Sequence, residues 1–280
     1  MSGIENTAEI RASKRILIVN DDGIDGPGIQ LLERIARQFS DDVWVVAPDE
    51  ERSGASQAIS VSHPIRYSQR GERHFAVHGT PTDCALLGIN EFLEGRKPDI
   101  LLSGINAGPN LAEDVHYSGT CAAAKEGALL GIPSFALSQM RSYGVPTLWE
   151  ASETHLPGIL GSLLDMAWRP GTFININVPN LPPAEIAGVK ITRQGQRLPG
   201  GFLPVRRVDE RTVPYFWVKI HPKAPELVEG TDLHAVAHGA ISVTPMQLDL
   251  THREMIADLA KMLDNADLGG PVLAGAEACI

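Results

Sequence analysis

Apolar residues fall along this chain in short blocks separated by amphipathic stretches, the order expected of strands alternating with helices. The first block, Ile16-Leu17-Ile18-Val19, is a run of branched residues with no polar interruption. It predicts a strand buried on both faces, as in a parallel sheet. After the punctuating loop Ile24-Asp25-Gly26-Pro27-Gly28, a helical stripe of Ile29, Leu32, Ile35, Ala36 and Phe39 follows. Val43 to Ala47 predicts a second strand, and short β-type runs come next at Ile59–Val61, Ile65–Tyr67 and Phe75–Val77. Thr80-Pro81-Thr82-Asp83 reads as a helix start, with a Thr cap, Pro at the first position and an acid at the third. That helix carries Leu86, Leu87 and Phe92.

Pro98-Asp99 then leads into Ile100-Leu101-Leu102, another buried strand, and into the glycine-rich loop Ser103 to Asn110. Tyr117-Ser118-Gly119-Thr120 opens an alanine-rich helix from Cys121 to Leu130, which Gly131 and Pro133 stop. Ser134–Leu137 and Thr172–Val178 read as strands. The alternation over about residues 14 to 180 predicts an α/β fold, a doubly wound and mostly parallel sheet between two helical layers. Beyond Pro182 the pattern changes to strand-like pieces at Val189–Thr192, Tyr215–Ile220 and Ile241–Thr244, separated by Gly and Pro. They suggest a β-rich extension over about 181–250, followed by an amphipathic helix over about 251–263. We expect one domain over 14–264, with 1–13 and 265–280 as flexible tails.

The 280 residues suffice for one large α/β domain with an appendage. A net charge of -10 argues against stable nucleic-acid binding, which wants a basic stripe. It leaves room for a phosphorylated small substrate, because a metal ion reverses the local field. Cys84, Cys121 and Cys279 are far apart and lack C-x-x-C spacing, so they read as reduced thiols. The polar stretch from Met1 to Ser13 does not read as a signal peptide, and no apolar run reaches the length of a membrane span. The expected compartment is the cytoplasm, with no membrane partner.

Candidate chemistry begins at Asn20-Asp21-Asp22-Gly23, directly after the first strand. A chain leaving such a strand emerges at the carboxyl edge of the sheet, where open α/β folds bind ligands. Adjacent carboxylates there repel each other and resist desolvation. A divalent cation would relieve both problems, and a solvated turn is the competing reading. Two further loops should reach the same edge. One carries Ser53, and the other carries Asn106 with Ser103, Gly108 and Asn110 nearby. Such hard oxygen donors suit Mg²⁺ or Mn²⁺ rather than Zn²⁺. The helix start at Ser118, Gly119 and Thr120 offers outward N–H groups and hydroxyls to a phosphate. Taken alone, it reads better as an ordinary N-cap.

Five blocks together resemble the SurE family of survival-protein nucleotidases. They are Asn20-Asp21-Asp22-Gly23, Ala47 to Gly54, Gly79 to Cys84, Ser103-Gly104-Ile105-Asn106, and Tyr117-Ser118-Gly119-Thr120, in matching order and rough spacing. Asn177-Val178-Pro179, Thr231-Asp232 and Ser242 to Pro245 extend the match. The resemblance implies a metal-dependent phosphatase acting on nucleoside monophosphates through a metal-activated water. It puts the metal on Asp21, Asp22, Ser53 and Asn106, with Asp21 or Asp22 orienting or deprotonating the water. Phosphate would lie against Asn106, Gly108, Asn110, Ser118, Gly119 and Thr120. It also implies a Rossmann-like core, a β extension used in subunit exchange, and a homodimer or homotetramer. The chain departs from the pattern at Gln57, where many members have His, in the loop from Gln139 to Ser152, and after Gly200.

Rival readings fit less well. A receiver-like signalling module also places acids after its first strand, but it needs an Asp where this chain has Ser103 and Asn106. Gly23, Gly26 and Gly28 are in the wrong order for a dinucleotide-binding G-x-G-x-x-G. The D-x-D spacing of haloacid-dehalogenase phosphatases is absent, as is any Ser-His-Asp triad. His234 and His238 have helical spacing but no third ligand, so they read as a packed or surface pair.

Overall fold

Every residue of the Ile16 to Val19 block is fully buried, and the block forms β1 (Arg15–Val19) inside a nine-stranded sheet. This computed structural model describes residues 14–141, 144–197, 201–220 and 226–264. Strand β1 pairs in parallel with β2 (Asp42–Pro48) on one side and β5 (Ile100–Ala107) on the other. Beyond β2 lie β4 (His74–His78), parallel, and the antiparallel edge strand β3 (Arg66–Gly71). Beyond β5 lie β6 (Ser134–Gln139) and β7 (Thr172–Val178), both parallel. The sheet is completed by β11 (Ile241–Gln247) and β8 (Val189–Ile191). The strand order therefore changes direction between β1 and β5.

Alternation along β1 divides the core in two, because successive side chains leave opposite faces. Ile16 and Ile18 pack with helices α1 (Pro27–Ala36) and α4 (Trp149–Leu163). Leu17 and Val19 pack with α2 (Pro81–Leu87) and α3 (Gly119–Leu129). This is the expected doubly wound, three-layer arrangement. The Thr80 start has the expected cap. The Thr80 side chain accepts from the Asp83 N–H, and the Asp83 carboxylate accepts from the Thr80 N–H.

Several expectations are corrected. Ile59–Val61 is not a strand, and Val61 is 88% exposed. The Ser60 N–H and hydroxyl donate instead to the buried Asp83 carboxylate, which takes the place of a strand partner. Ser103 to Ala107, expected as loop, continues β5 with an irregular register against β6. Helix α4 was hidden by Pro157 inside it, yet its Ala151, Leu156 and Leu160 line the core. Short α5 (Asp232–Ala237) and strand β9 (Phe202–Val208) were also not anticipated.

Two of the late strands, β8 and β11, join the main sheet. A separate antiparallel ribbon of β9 and β10 (Pro214–Ile220) fits the expected β extension. The chain divides after Met246, and from Gln247 onward a second unit carries helix α6 (Arg253–Asp264). No helix among the described residues is long and apolar enough to cross a membrane. The expected tails lie outside the described residues, as does Tyr143 of the loop from Gln139 to Ser152.

Candidate active site

The strand order changes direction between β1 and β5, and sheets of this kind usually bind ligands at the carboxyl ends of the strands at such a point. Asp21 and Asp22 follow β1 there, and Asn106 lies near the end of β5. The turn is fixed locally, because the buried Asn20 side chain donates to Gly23 O at 2.7 Å. The other side of that amide, Asn20 Oδ1, is buried without a hydrogen-bond partner. Helix α1 comes close to β5 at Gly28, where a Cβ would collide with the Ile105 carbonyl.

Asp21 is nearly fully buried, and burial pushes its carboxyl up to about 6. Hydrogen bonding from Thr120 works against that rise, and the neighbouring charge of Asp22 adds to it. Asp22 is also raised, chiefly by burial; a bond from the Ala107 N–H at 2.9 Å opposes this and Glu51 adds to it. Among the described residues no three His, Cys, Asp or Glu form a metal-holding cluster. Residues near the pair that could add oxygen donors to a cation are Ser53 and Asn106.

The Ser53 loop is tied to the pair through its backbone: the Arg52 N–H donates to Asp21 O at 2.8 Å. Ser53 itself is exposed, and its hydroxyl donates to Glu51 at 2.9 Å. Glu51 is thus a further acid beside the site that its sequence position did not advertise. The Asn106 amide nitrogen donates to Gly108 O at 3.0 Å, which turns the amide oxygen to the opposite side of the group. The Ser103 hydroxyl is buried and unpartnered.

Helix α3 begins against Asp21. Ser118 is its N-cap and accepts from the Cys121 N–H at 2.9 Å. A Cβ on Gly119 would stand 2.8 Å from the Asp21 Cβ and 2.9 Å from Pro81 Cγ, so only Gly permits this approach. The Thr120 hydroxyl is fully buried and donates to Asp21 Oδ1 at 2.6 Å. Its first acceptor is therefore the carboxylate. Asn110 lies in a buried polar network. Its side chain donates to Ser138, its N–H donates to Asn177, and its carbonyl accepts from Asn175 and Asn177. Sequence reasoning missed Ser138 and Asn175. The signal available was polar residues in strands otherwise buried throughout.

His234 and His238 stack with ring centroids 4.1 Å apart, and His238 Nδ1 bonds the His234 carbonyl. They form a stacked pair with His238 exposed, within the expected packed or surface pair.

The model of the family described as survival protein SurE matches residues 16–200. The chain belongs to the SurE family. It is 48% identical to 5'-nucleotidase SurE of Caulobacter vibrioides strain NA1000 over 255 residues, covering 90% of this chain and 97% of that one. It is 50% identical to the protein of the same name from Rhodopseudomonas palustris strain BisB18 over 242 residues, covering 85% and 94%. Among solved structures, the SurE protein from Aquifex aeolicus matches with a TM-score of 0.77 at 37% identity, covering 89% of this chain and all of that one. The SurE match includes Asp21, Asp22, Ser53, Asn106 and the start of α3.

Proposed function

We propose that this chain hydrolyses nucleoside monophosphates to nucleoside and phosphate, with a divalent cation, Mg²⁺ or Mn²⁺, at Asp21 and Asp22. Kinship supports the hydrolase class: relatives named 5'-nucleotidase SurE share about half of its residues over most of its length. The observation that carries the reading is the buried Asp21, packed against a helix start and beside a second carboxylate at the sheet's direction change. A cation held there supplies a Lewis acid for the phosphoryl group and an acidified water for attack on phosphorus.

The chain's own groups have separable roles. Burial raises the Asp21 carboxyl in the metal-free protein, and a cation bound there would hold it ionised. Asp22 is held in place by the Ala107 N–H. Asn106 and Ser53 offer neutral oxygens. The Gly119 end of α3, the Ser118 hydroxyl and the Gly108 backbone face the need for phosphate donors. Thr120 works through Asp21, and Asn110 supports the strand ends through its buried network.

The assembly we propose is a homodimer or homotetramer. Phe216, Trp217 and Val218 of β10 are all more than 60% exposed, more apolar surface than an isolated ribbon keeps in water. The buried free thiols of Cys84 and Cys121 suit the reducing cytoplasm.

The test is phosphate release from a panel of nucleoside monophosphates by metal-stripped protein, before and after adding Mg²⁺ or Mn²⁺. Release only after addition is expected. Full turnover in the stripped sample would remove the metal from the reading, and no release under either condition would remove the nucleotidase.

A further inference from the structure

We infer that Tyr117, braced by Phe202, is the platform on which the base of the nucleoside monophosphate stacks, an inference resting on the nucleotidase reading above. Tyr117 immediately precedes the Ser118 cap and lies two residues before Gly119, the residue packed against Asp21. Two residues span at most about 7 Å. The ribose of a nucleoside monophosphate separates base from phosphorus by a comparable distance. A phosphate at the start of α3 would therefore bring its base within reach of this ring.

The ring is open to a ligand and held in place. Tyr117 is 51% exposed and Phe202 is 46% exposed. Their centroids lie 5.0 Å apart with planes 66° apart, an edge contact that fixes one ring with the other and forms an open corner. The backbone beneath is fixed as well. The Tyr117 N–H donates to Asp114 O, and its carbonyl accepts from the Ser56 N–H at 3.1 Å. The Ser56 hydroxyl donates to His116 O at 2.6 Å. The same loop that presents Ser53 thus ties down the aromatic residue. Asp114, which could repel an anionic ligand, is neutralised by a two-pronged bond from Arg197.

Stacking tolerates every base, because each has a π-face. The platform therefore selects nucleotides over other phosphate esters and discriminates little among purines and pyrimidines. Phe202 belongs to the β9–β10 ribbon, so the ribbon also contributes to the substrate site.

The experiment compares kcat/KM for AMP with that for ribose 5-phosphate, the same ester without a base. In Tyr117→Ala the preference for AMP should fall by about 5- to 100-fold, mainly through KM. Phe202→Ala should lower it less, and Tyr117→Trp should keep it. An unchanged preference in Tyr117→Ala, or equal losses on both substrates, would overturn the inference. If the wild-type protein releases phosphate from neither ester, the nucleotidase reading fails, and equilibrium dialysis with adenosine judges the platform by itself. Weaker adenosine binding in Tyr117→Ala supports it, and equal binding overturns it.

Discussion

The Thr120 hydroxyl donates to Asp21 across 2.6 Å, joining the first turn of α3 to the loop after β1, 99 residues away in sequence. The bond favours the ionised carboxylate and so opposes the rise that burial imposes. Removing it should let Asp21 rise further. In metal-free Thr120→Val the Asp21 carboxyl should titrate at higher pH than in wild type by NMR, whereas Thr120→Ser should keep the wild-type titration. An unmoved Asp21 titration in Thr120→Val would show that the hydrogen bond does not hold the carboxylate down.

Stability should carry the same signature. The folded Asp21 carboxyl sits near 6 against an ordinary 3.8, so the folded state holds this proton more tightly. Its contribution is fully present below the ordinary value and is lost as pH rises through about 6. In chelator, Asp21→Asn should therefore be more stable than wild type at pH 8, by about 1 to 3 kcal/mol, with the gap closing near pH 4. Urea melts at both pH values measure this. A variant less stable than wild type at pH 8 would make Asp21 a structural residue.

Asp22→Asn should leave the metal-free protein as stable as wild type or slightly more so, since it too is raised by burial. It should lose most of the stabilisation that Mn²⁺ gives the wild type by mass action. Activity should fall by orders of magnitude. Thermal melting with and without Mn²⁺, beside phosphate release, checks both. Retention of the metal-induced shift and of turnover would exclude Asp22 as a ligand.

Gly119→Ala tests the close approach of α3. The new methyl would meet Asp21 and Pro81 under 3.0 Å, so the helix start must move. We expect a loss of about 1 to 3 kcal/mol together with most activity. Gly158 in α4 is the control, because a Cβ there meets nothing within 4 Å. Gly158→Ala should gain about 0.5 to 1 kcal/mol and keep activity. Equal behaviour of the two variants would refute the packing argument.

The exposed ribbon predicts association. Sedimentation should show a dimer or tetramer, and Val218→Asp should shift it toward monomer, since a charge cannot be buried unpaired at little cost. Val218 is 66% exposed, so the folded monomer should tolerate the change. A monomeric wild type would remove the assembly from the proposal.

By itself the sequence determined the layered fold and the carboxylate pair. Unbroken branched runs such as Ile16 to Val19 suit only a strand buried on both faces, and Thr80 with Asp83 carries its own cap. Asp21 and Asp22 were legible as candidates because adjacent acids after such a strand repel each other and resist desolvation, with a solvated turn as the rival reading. Tertiary structure decided the rest. Helix α4 forms despite Pro157 because Leu156 and Leu160 gain burial in the core, a gain no local propensity records. Ile59 to Val61 looked like strand until Asp83 took the hydrogen bonds of Ser60. The partners of Asp21, Asp22 and Asn110 come from segments remote in sequence, Thr120, Ala107 and Asn177 among them. Residue type announces a donor or an acceptor. Which one it meets is set by the packing of the sheet and its helices, and that packing commits Thr120 to a carboxylate and Asn110 to a buried network.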